Sequence, residues 1–145
     1  SSMRFVHSMI RVRDLDAALH FFCDLLGLSE VRRRDSERGR FTLVFLETGA
    51  EGDNAQIELT HNWGTESDPD FAGYHDGNSQ PQGFGHIGIS VPDVYVASER
   101  FEKLGVEFVK RPDDGKMKGL AFIKDPDGYW IEILSPHGLR KIAVS

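Results

Sequence analysis

The chain has 145 residues, the size of one domain, and a chain of this length buries roughly two thirds of its unfolded surface. Its 23 acidic and 17 basic residues give a net charge of −6, which disfavours binding to nucleic acid. The single cysteine, Cys23, excludes an internal disulfide, and we expect it to be an inert buried thiol on a helix. No apolar stretch approaches the roughly 18 residues that span a bilayer, so we expect a soluble, cytoplasmic protein.

An internal repeat organises the chain. His7-Ser-Met-Ile-Arg-Val-Arg-Asp14 and His86-Ile-Gly-Ile-Ser-Val-Pro-Asp93 lie 79 residues apart and share an opening histidine, an alternating strand pattern and a closing aspartate. After each aspartate, apolar residues recur at steps of three and four, which predicts an amphipathic helix. Each helix begins at an aspartate suited to N-capping and ends at a glycine, Gly27 or Gly105, suited to the left-handed C′ position.

Downstream of each helix the apolar period falls toward two, which predicts a strand over residues 41–46 in the first copy and 120–123 in the second. A turn and a last strand follow in each copy, over residues 51–54 and 56–60 and then over residues 125–128 and 129–134. Pro126 and Gly128 occupy the second and fourth positions of their turn, which favours type I. Each copy is therefore predicted to be β-α-β-β-β, and the fold class is α+β with two tandem βαβββ modules.

We predict one domain over residues 1–145, with module one at about 4–62, module two at about 84–136, and a polar linker or lid at about 63–83. A half of about 60 residues does not readily bury a sheet alone. The modules should therefore pair about a pseudo-twofold axis, either within one chain or between two chains. Repeat-equivalent residues would converge on that axis and line a pocket.

Two pairs of polar residues fall at repeat-equivalent places on the predicted strands. His7 and His86 each open the first strand of a module, and Glu58 and Glu132 each lie in the last. Because side chains alternate along a strand, both glutamates point away from their apolar neighbours, onto the concave face. A carboxylate there is costly unless it is solvated, paired or bound to metal.

Two imidazoles and two carboxylates suit a divalent ion such as zinc, nickel, cobalt or manganese, with open positions for water or substrate. Taken singly, His7 and His86 are more readily partly exposed histidines at a strand end, and Glu58 and Glu132 are as easily solvent-facing residues of half-buried strands. Their repetition favours a metal site. The other histidines, His20, His61, His75 and His137, lack such placement.

Five blocks of the sequence resemble glyoxalase I, or lactoylglutathione lyase, of the vicinal oxygen chelate superfamily. Two of them are the most specific, Glu58-Leu-Thr-His-Asn-Trp-Gly64 and Asp125-Pro-Asp-Gly-Tyr-Trp-Ile-Glu132. The others begin at His7, Gly83 and Lys116, so that the likeness spans almost the whole chain. The resemblance implies curved mixed sheets paired in a homodimer.

The resemblance also implies roles for individual residues. His7, Glu58, His86 and Glu132 would bind one divalent metal ion, zinc or nickel, in each site, with His7 and Glu58 from one protomer and His86 and Glu132 from its partner. Arg11, Asn62 and Lys110 match the positions that hold the carboxylates of glutathione, and Met117 and Phe122 match positions near the apolar substrate pocket. A solvent-facing role for Arg11, a basic-loop role for Lys110 and core packing for Met117 and Phe122 remain alternatives.

Two features depart from a uniform family pattern. Gln82 stands where many members carry arginine, which removes one contact to the glutathione carboxylates. The loops at residues 77–81 and 113–118 resemble the zinc-using branch, whereas the short connection from Glu47 to Gln56 resembles the nickel-using branch.

The reaction that the resemblance implies is isomerisation of the methylglyoxal–glutathione hemithioacetal to S-D-lactoylglutathione, by proton transfer through a metal-stabilised enediolate. Glu132 would move the proton, and Glu58 would do the same for the opposite hemithioacetal configuration. The alternatives are another enzyme of the superfamily, such as an epimerase or an extradiol dioxygenase, and a metal-free module that sequesters a drug or another ligand.

Overall fold

The computed structural model describes residues 1–49 and 55–136. The chain forms two compact units, Ser1–Tyr74 and His75–Ser145, with their boundary inside the segment predicted as a linker. The predicted turn over residues 51–54 and the histidine His137 lie outside the described residues. No helix among those described is long and apolar enough to cross a membrane.

The first unit follows the predicted β-α-β-β-β order. Its elements are β1 (His7–Arg11), α1 (Leu15–Leu19) with a π-helical continuation (His20–Leu25), β2 (Ser29–Ser36), β3 (Phe41–Glu47), β4 (Gln56–Asn62) and a 3-10 turn (Thr65–Ser67). The sheet order is β1-β4-β3-β2. β1 and β4 are parallel and the other neighbours are antiparallel, so the sheet is mixed, as predicted.

The second unit repeats this topology. Its elements are β5 (His86–Ser90), α2 (Val94–Lys103), β6 (Phe108–Lys110), β7 (Ala121–Lys124) and β8 (Trp130–Leu134). The sheet order is β5-β8-β7-β6, again with one parallel pair between the first and last strands. The α+β class and the tandem βαβββ modules are therefore confirmed.

The predicted helix ends are also confirmed. The Asp14 side chain accepts a hydrogen bond from the backbone N–H of Ala17, and the Asp93 side chain accepts from the N–H groups of Tyr95 and Val96. Both aspartates thereby satisfy N–H groups that have no partner inside the helix. The glycines that follow the helices, Gly27 and Gly105, have φ of +85° and +78°, where only glycine is unstrained.

One face of each sheet is apolar and buried. In the first unit the fully buried large side chains are Val12, Phe22, Val44, Leu46 and Leu59, and in the second they are Leu120, Ile123, Ile131 and Ile133. On β4 and β8 the buried residues alternate with Glu58 and Glu132, which are half-buried on the opposite face. The core therefore lies on one side of each sheet, and we call the other side its open face.

The structure differs from the prediction in the first helix. The pattern from Asp14 to Gly27 predicts one amphipathic helix, but only five residues are α-helical and the next six form a π-helix. Cys23 lies in the π-helix and is half-buried rather than fully buried. Burial, followed by the nearby carboxylates of Asp24 and Glu30, raises the pKa of its thiol, which agrees with an unreactive cysteine.

Candidate metal and substrate site

The first unit brings His7 and Glu58 together. In the parallel β1–β4 pair Glu58 lies opposite Met9, so that His7, two residues earlier on β1, lies on the same face. His7 Nε2 is 3.3 Å from Glu58 Oε1, and the Glu58 side chain is 13% exposed. Thr60 Oγ1 donates a hydrogen bond of 3.3 Å to the other carboxylate oxygen, Oε2. The pair is thus partly shielded from water while its imidazole remains accessible.

The second unit repeats the arrangement with His86 and Glu132. Glu132 lies opposite Gly88 in the parallel β5–β8 pair, and His86 again lies two residues before that partner. His86 Nε2 is 3.5 Å from Glu132 Oε1, and the Glu132 side chain is 20% exposed. The two pairs therefore share the same strands, the same register and almost the same separation.

A phenylalanine ring packs beside each His–Glu pair. Phe45 on β3 lies opposite Glu58, and Phe122 on β7 lies opposite Glu132. The ring centroids of His7 and Phe45 are 5.6 Å apart and those of His86 and Phe122 are 5.0 Å apart, both edge to face. Phe122 is among the residues predicted from the sequence, whereas Phe45 is not. Comparing Leu-Val-Phe-Leu, residues 43–46, with Leu-Ala-Phe-Ile, residues 120–123, would have found it.

The chemistry of each pair fits a divalent ion. Each offers one imidazole nitrogen and one carboxylate oxygen, the mixed donor set that borderline divalent metals accept. In residues 1–49 and 55–136 no group of three or more histidine, cysteine, aspartate or glutamate side chains is close enough to hold a metal. Each unit therefore brings together two of the four predicted metal ligands, one histidine and one glutamate.

Two of the predicted substrate contacts lie on the open face of the first sheet. Arg11 on β1 is exposed and lies opposite Thr60, on the side that carries Glu58. Asn62 ends β4 and is exposed, four residues beyond Glu58 on the same side of the strand. Arg11 and Asn62 are thus accessible to an anionic group near the His7–Glu58 pair.

The predicted substrate contacts of the second unit are more varied. Met117 is 49% exposed in the loop between β6 and β7, whereas Phe122 is half-buried against His86 and Trp130. Lys110 Nζ donates to the carbonyl oxygens of Arg111, Pro112 and Leu120 at 3.1, 3.3 and 2.7 Å. An ammonium has three protons, so these carbonyls occupy all of them, and burial lowers the pKa of Lys110.

The remaining histidines of the described chain form local contacts. His61 is buried and its Nε2 lies 2.8 Å from Glu66 Oε2. Hydrogen bonds from backbone N–H groups and from His61 lower the pKa of Glu66. His20 pairs with Asp24 at the surface, and His75 Nε2 lies 3.1 Å from two backbone carbonyls. These contacts are structural and leave His7 and His86 as the histidines of the candidate site.

Two tandem βαβββ units, each with a mixed four-stranded sheet, are the architecture of the vicinal oxygen chelate class of proteins. Residues 4–133 match the family described as Glyoxalase/Bleomycin resistance protein/Dioxygenase superfamily. The chain is 50% identical to lactoylglutathione lyase of Pseudomonas putida, over 91% of this chain and 84% of that protein. It is 43% identical to glyoxalase I of Saccharomyces cerevisiae, over 94% of this chain and 44% of that protein.

Among solved structures, the trypanothione-dependent glyoxalase I of Leishmania major superposes with a TM-score of 0.79 at 35% identity, covering 99% of this chain and 94% of that one. The chain belongs to the glyoxalase I, or lactoylglutathione lyase, family of the vicinal oxygen chelate superfamily.

Proposed function

We propose that the chain isomerises the hemithioacetal of methylglyoxal and glutathione to S-D-lactoylglutathione. The observation that carries this proposal is the repeated His–Glu pair, placed by the same register on the open face of each sheet. The relatives named lactoylglutathione lyase support it, and they favour it over a dioxygenase, an epimerase or a ligand-sequestering module.

Enzymes of this family use glutathione and a divalent metal. His7, Glu58, His86 and Glu132 would hold one ion, zinc or nickel, in each site. That ion would stabilise the negative charge that develops on two adjacent substrate oxygens. From the family pattern we also propose a homodimer in which the His7–Glu58 pair of one protomer joins the His86–Glu132 pair of its partner, giving two nitrogen and two oxygen donors.

Glu132 is the base of this proposal. Its carboxylate is half-buried, beside an imidazole and opposite a phenylalanine ring, where water competes weakly for its oxygens. From that position it would take the proton from the carbon next to the carbonyl and return it to the neighbouring carbon. Glu58 lies in the matching environment of the first unit and would serve the opposite configuration of the substrate.

Arg11 and Asn62 would hold a carboxylate of glutathione. A guanidinium donates two parallel hydrogen bonds to a carboxylate, and the Asn62 amide offers two further N–H donors. Lys110 is proposed with them from the family pattern, although it would have to exchange at least one backbone carbonyl for the ligand.

The test is thioester formation from methylglyoxal and glutathione by the chelated enzyme, before and after adding zinc, nickel or cobalt. We expect activity to return with at least one ion. Glu132→Gln should keep bound metal, measured by elemental analysis, and lose about 100-fold or more in kcat. Glu99→Gln, an exposed change on α2, is the matched control. Retention of both the metal and most of kcat by Glu132→Gln would refute the role of Glu132.

A further inference from the structure

The edge strand of the first sheet places two arginines on its open face. In the antiparallel β2–β3 pair Arg32 lies opposite Phe45 and Arg34 lies opposite Leu43. Phe45 is in turn opposite Glu58 across the β3–β4 pair. Directly opposed residues share a face, so both arginines lie on the side of the sheet that carries Glu58.

Contacts connect Arg32 to the His7–Glu58 pair. The guanidinium carbon of Arg32 lies 4.0 Å from the centroid of the Phe45 ring, and the same ring meets His7 edge to face. Phe45 is 5% exposed, so the arginine covers a well-packed ring. A guanidinium that stacks on an aromatic ring still presents N–H donors at its edge, available to an anion.

No side chain in the described chain neutralises Arg32 or Arg34. Neither makes a hydrogen bond or an ion pair within residues 1–49 and 55–136, whereas Arg33 between them is held by Glu30 at 2.6 Å. Residues 32–40 contain five arginines and two acidic residues, in a chain whose net charge is −6. This hairpin is therefore a local positive region of an acidic protein, which attracts anions.

We infer that Arg32 and Arg34 bind a negatively charged group, a carboxylate or a phosphate, on the aldehyde-derived part of the substrate. The inference rests on the proposed function and names the class of 2-oxoaldehyde that it serves. Neighbouring strands are about 4.8 Å apart, so the backbone of Arg32, two strands away, lies about 10 Å from that of Glu58. The backbone of Arg34, three strands away, lies about 14 Å from that of Arg11. Arg11 on the edge strand β1 would thus bind one end of a ligand, and Arg32 and Arg34 on the other edge strand, β2, would bind the opposite end.

The second sheet has a cation at the equivalent position of its edge strand, but the N–H donors of that cation are already occupied. Lys110 on β6 lies opposite Phe122, the place that Arg32 takes opposite Phe45. The Lys110 ammonium, however, is occupied by three backbone carbonyls. Of the two repeat-equivalent cations, Arg32 is the one whose donors remain available to a ligand.

The test compares three glutathione hemithioacetals, made with methylglyoxal, with 4,5-dioxopentanoate and with 3-phosphooxy-2-oxopropanal. The first aldehyde is neutral, the second carries a carboxylate and the third a phosphate. We expect Arg32→Met and Arg34→Met to lower kcat/KM for at least one charged substrate by about tenfold or more, and for methylglyoxal by less than about twofold. The substrate affected identifies which anion the arginines hold.

Methionine retains the apolar cover over Phe45 but removes the charge, and Arg32→Lys should recover part of the loss because it restores a cation. Arg38→Met, in the exposed turn between β2 and β3, is the control for the general charge of the hairpin. An equal loss for all three substrates would mean that the arginines hold glutathione or the fold, and it would overturn the inference, as would no loss for any. Failure of the unmodified enzyme with all three would overturn the proposed function as well.

Discussion

Asp125 is buried where a charged carboxylate is poorly solvated, and this predicts an unusual dependence of stability on pH. The residue is 4% exposed. Its Oδ1 accepts hydrogen bonds from the N–H groups of Asp127 and Tyr129 at 3.0 and 2.8 Å, whereas its buried Oδ2 has no hydrogen-bond partner among the described residues. Burial, followed by the charge of Asp127, raises the pKa of Asp125 from 3.8 to about 7.

The sign of the effect follows from proton binding. Between pH 4 and pH 7, roughly, the folded state keeps the Asp125 proton that the unfolded state releases, so the free energy of unfolding falls as pH rises. A pKa difference of about three units corresponds to about 4 kcal/mol. That loss is complete above about pH 7 and absent below about pH 4.

Asp125→Asn removes the titration and keeps an oxygen in place of Oδ1 to accept both backbone hydrogen bonds. Its amide would leave an unpartnered N–H₂ at the position of Oδ2, at a cost of about 1–3 kcal/mol that does not depend on pH. The variant should therefore be less stable than the parent near pH 4.5, and the difference in the free energy of unfolding should shift in its favour up to about pH 7 and then stay level up to pH 8.

Urea unfolding at fixed protein concentration, repeated from pH 4.5 to 8, measures this difference because the other titrating groups cancel between the two proteins. The expected change in the difference is about 2–4 kcal/mol across the range. A difference that stays constant within about 0.5 kcal/mol would show that Asp125 is ionised throughout, and the reasoning from burial would be wrong.

Three further predictions concern local structure. Gly77→Ala should lower the thermal midpoint far more than Gly73→Ala: both have positive φ, but only at Gly77 would a Cβ meet a backbone oxygen, that of Phe84, at 1.8 Å. Asp93→Ala should reduce the free energy of urea unfolding by about 1 kcal/mol, because two helix N–H groups lose their cap. Iodoacetamide at pH 8 should alkylate Cys23 several-fold more slowly in the folded than in the urea-unfolded protein, because its thiol pKa is raised.

The repeat made much of the fold predictable. Each module had a strand that opens with histidine, a helix bounded by aspartate and glycine, and two later strands with clear apolar alternation. Those features depend on local chemistry: an N-cap side chain, a left-handed glycine and a period of two. The same alternation placed Glu58 and Glu132 on the faces opposite Ile57 and Ile131, which is where the structure has them.

The features that were missed depend on contacts between distant residues. β2 is an edge strand whose residues 29–35 are all exposed, so it lacks the alternation that marks a half-buried strand. The three carbonyl partners of Lys110 belong to the loop that follows β6 and folds back onto the lysine side chain. No residue spacing in the sequence predicts the path of that loop. The π-helical turn likewise breaks a helix whose apolar pattern is continuous.

Duplication explains why the two units can be alike at the His–Glu pair and different beside it. The His–Glu separation is set by the register of a parallel strand pair, and that register is fixed by the apolar residues on the buried face of each sheet. Edge-strand residues such as Arg32 and Lys110 lie outside this constraint, since their side chains contribute little to either core. The proposed metal ligands can therefore stay equivalent in both units while the edge strands diverge, and differences in ligand specificity are expected to accumulate on β2 and β6.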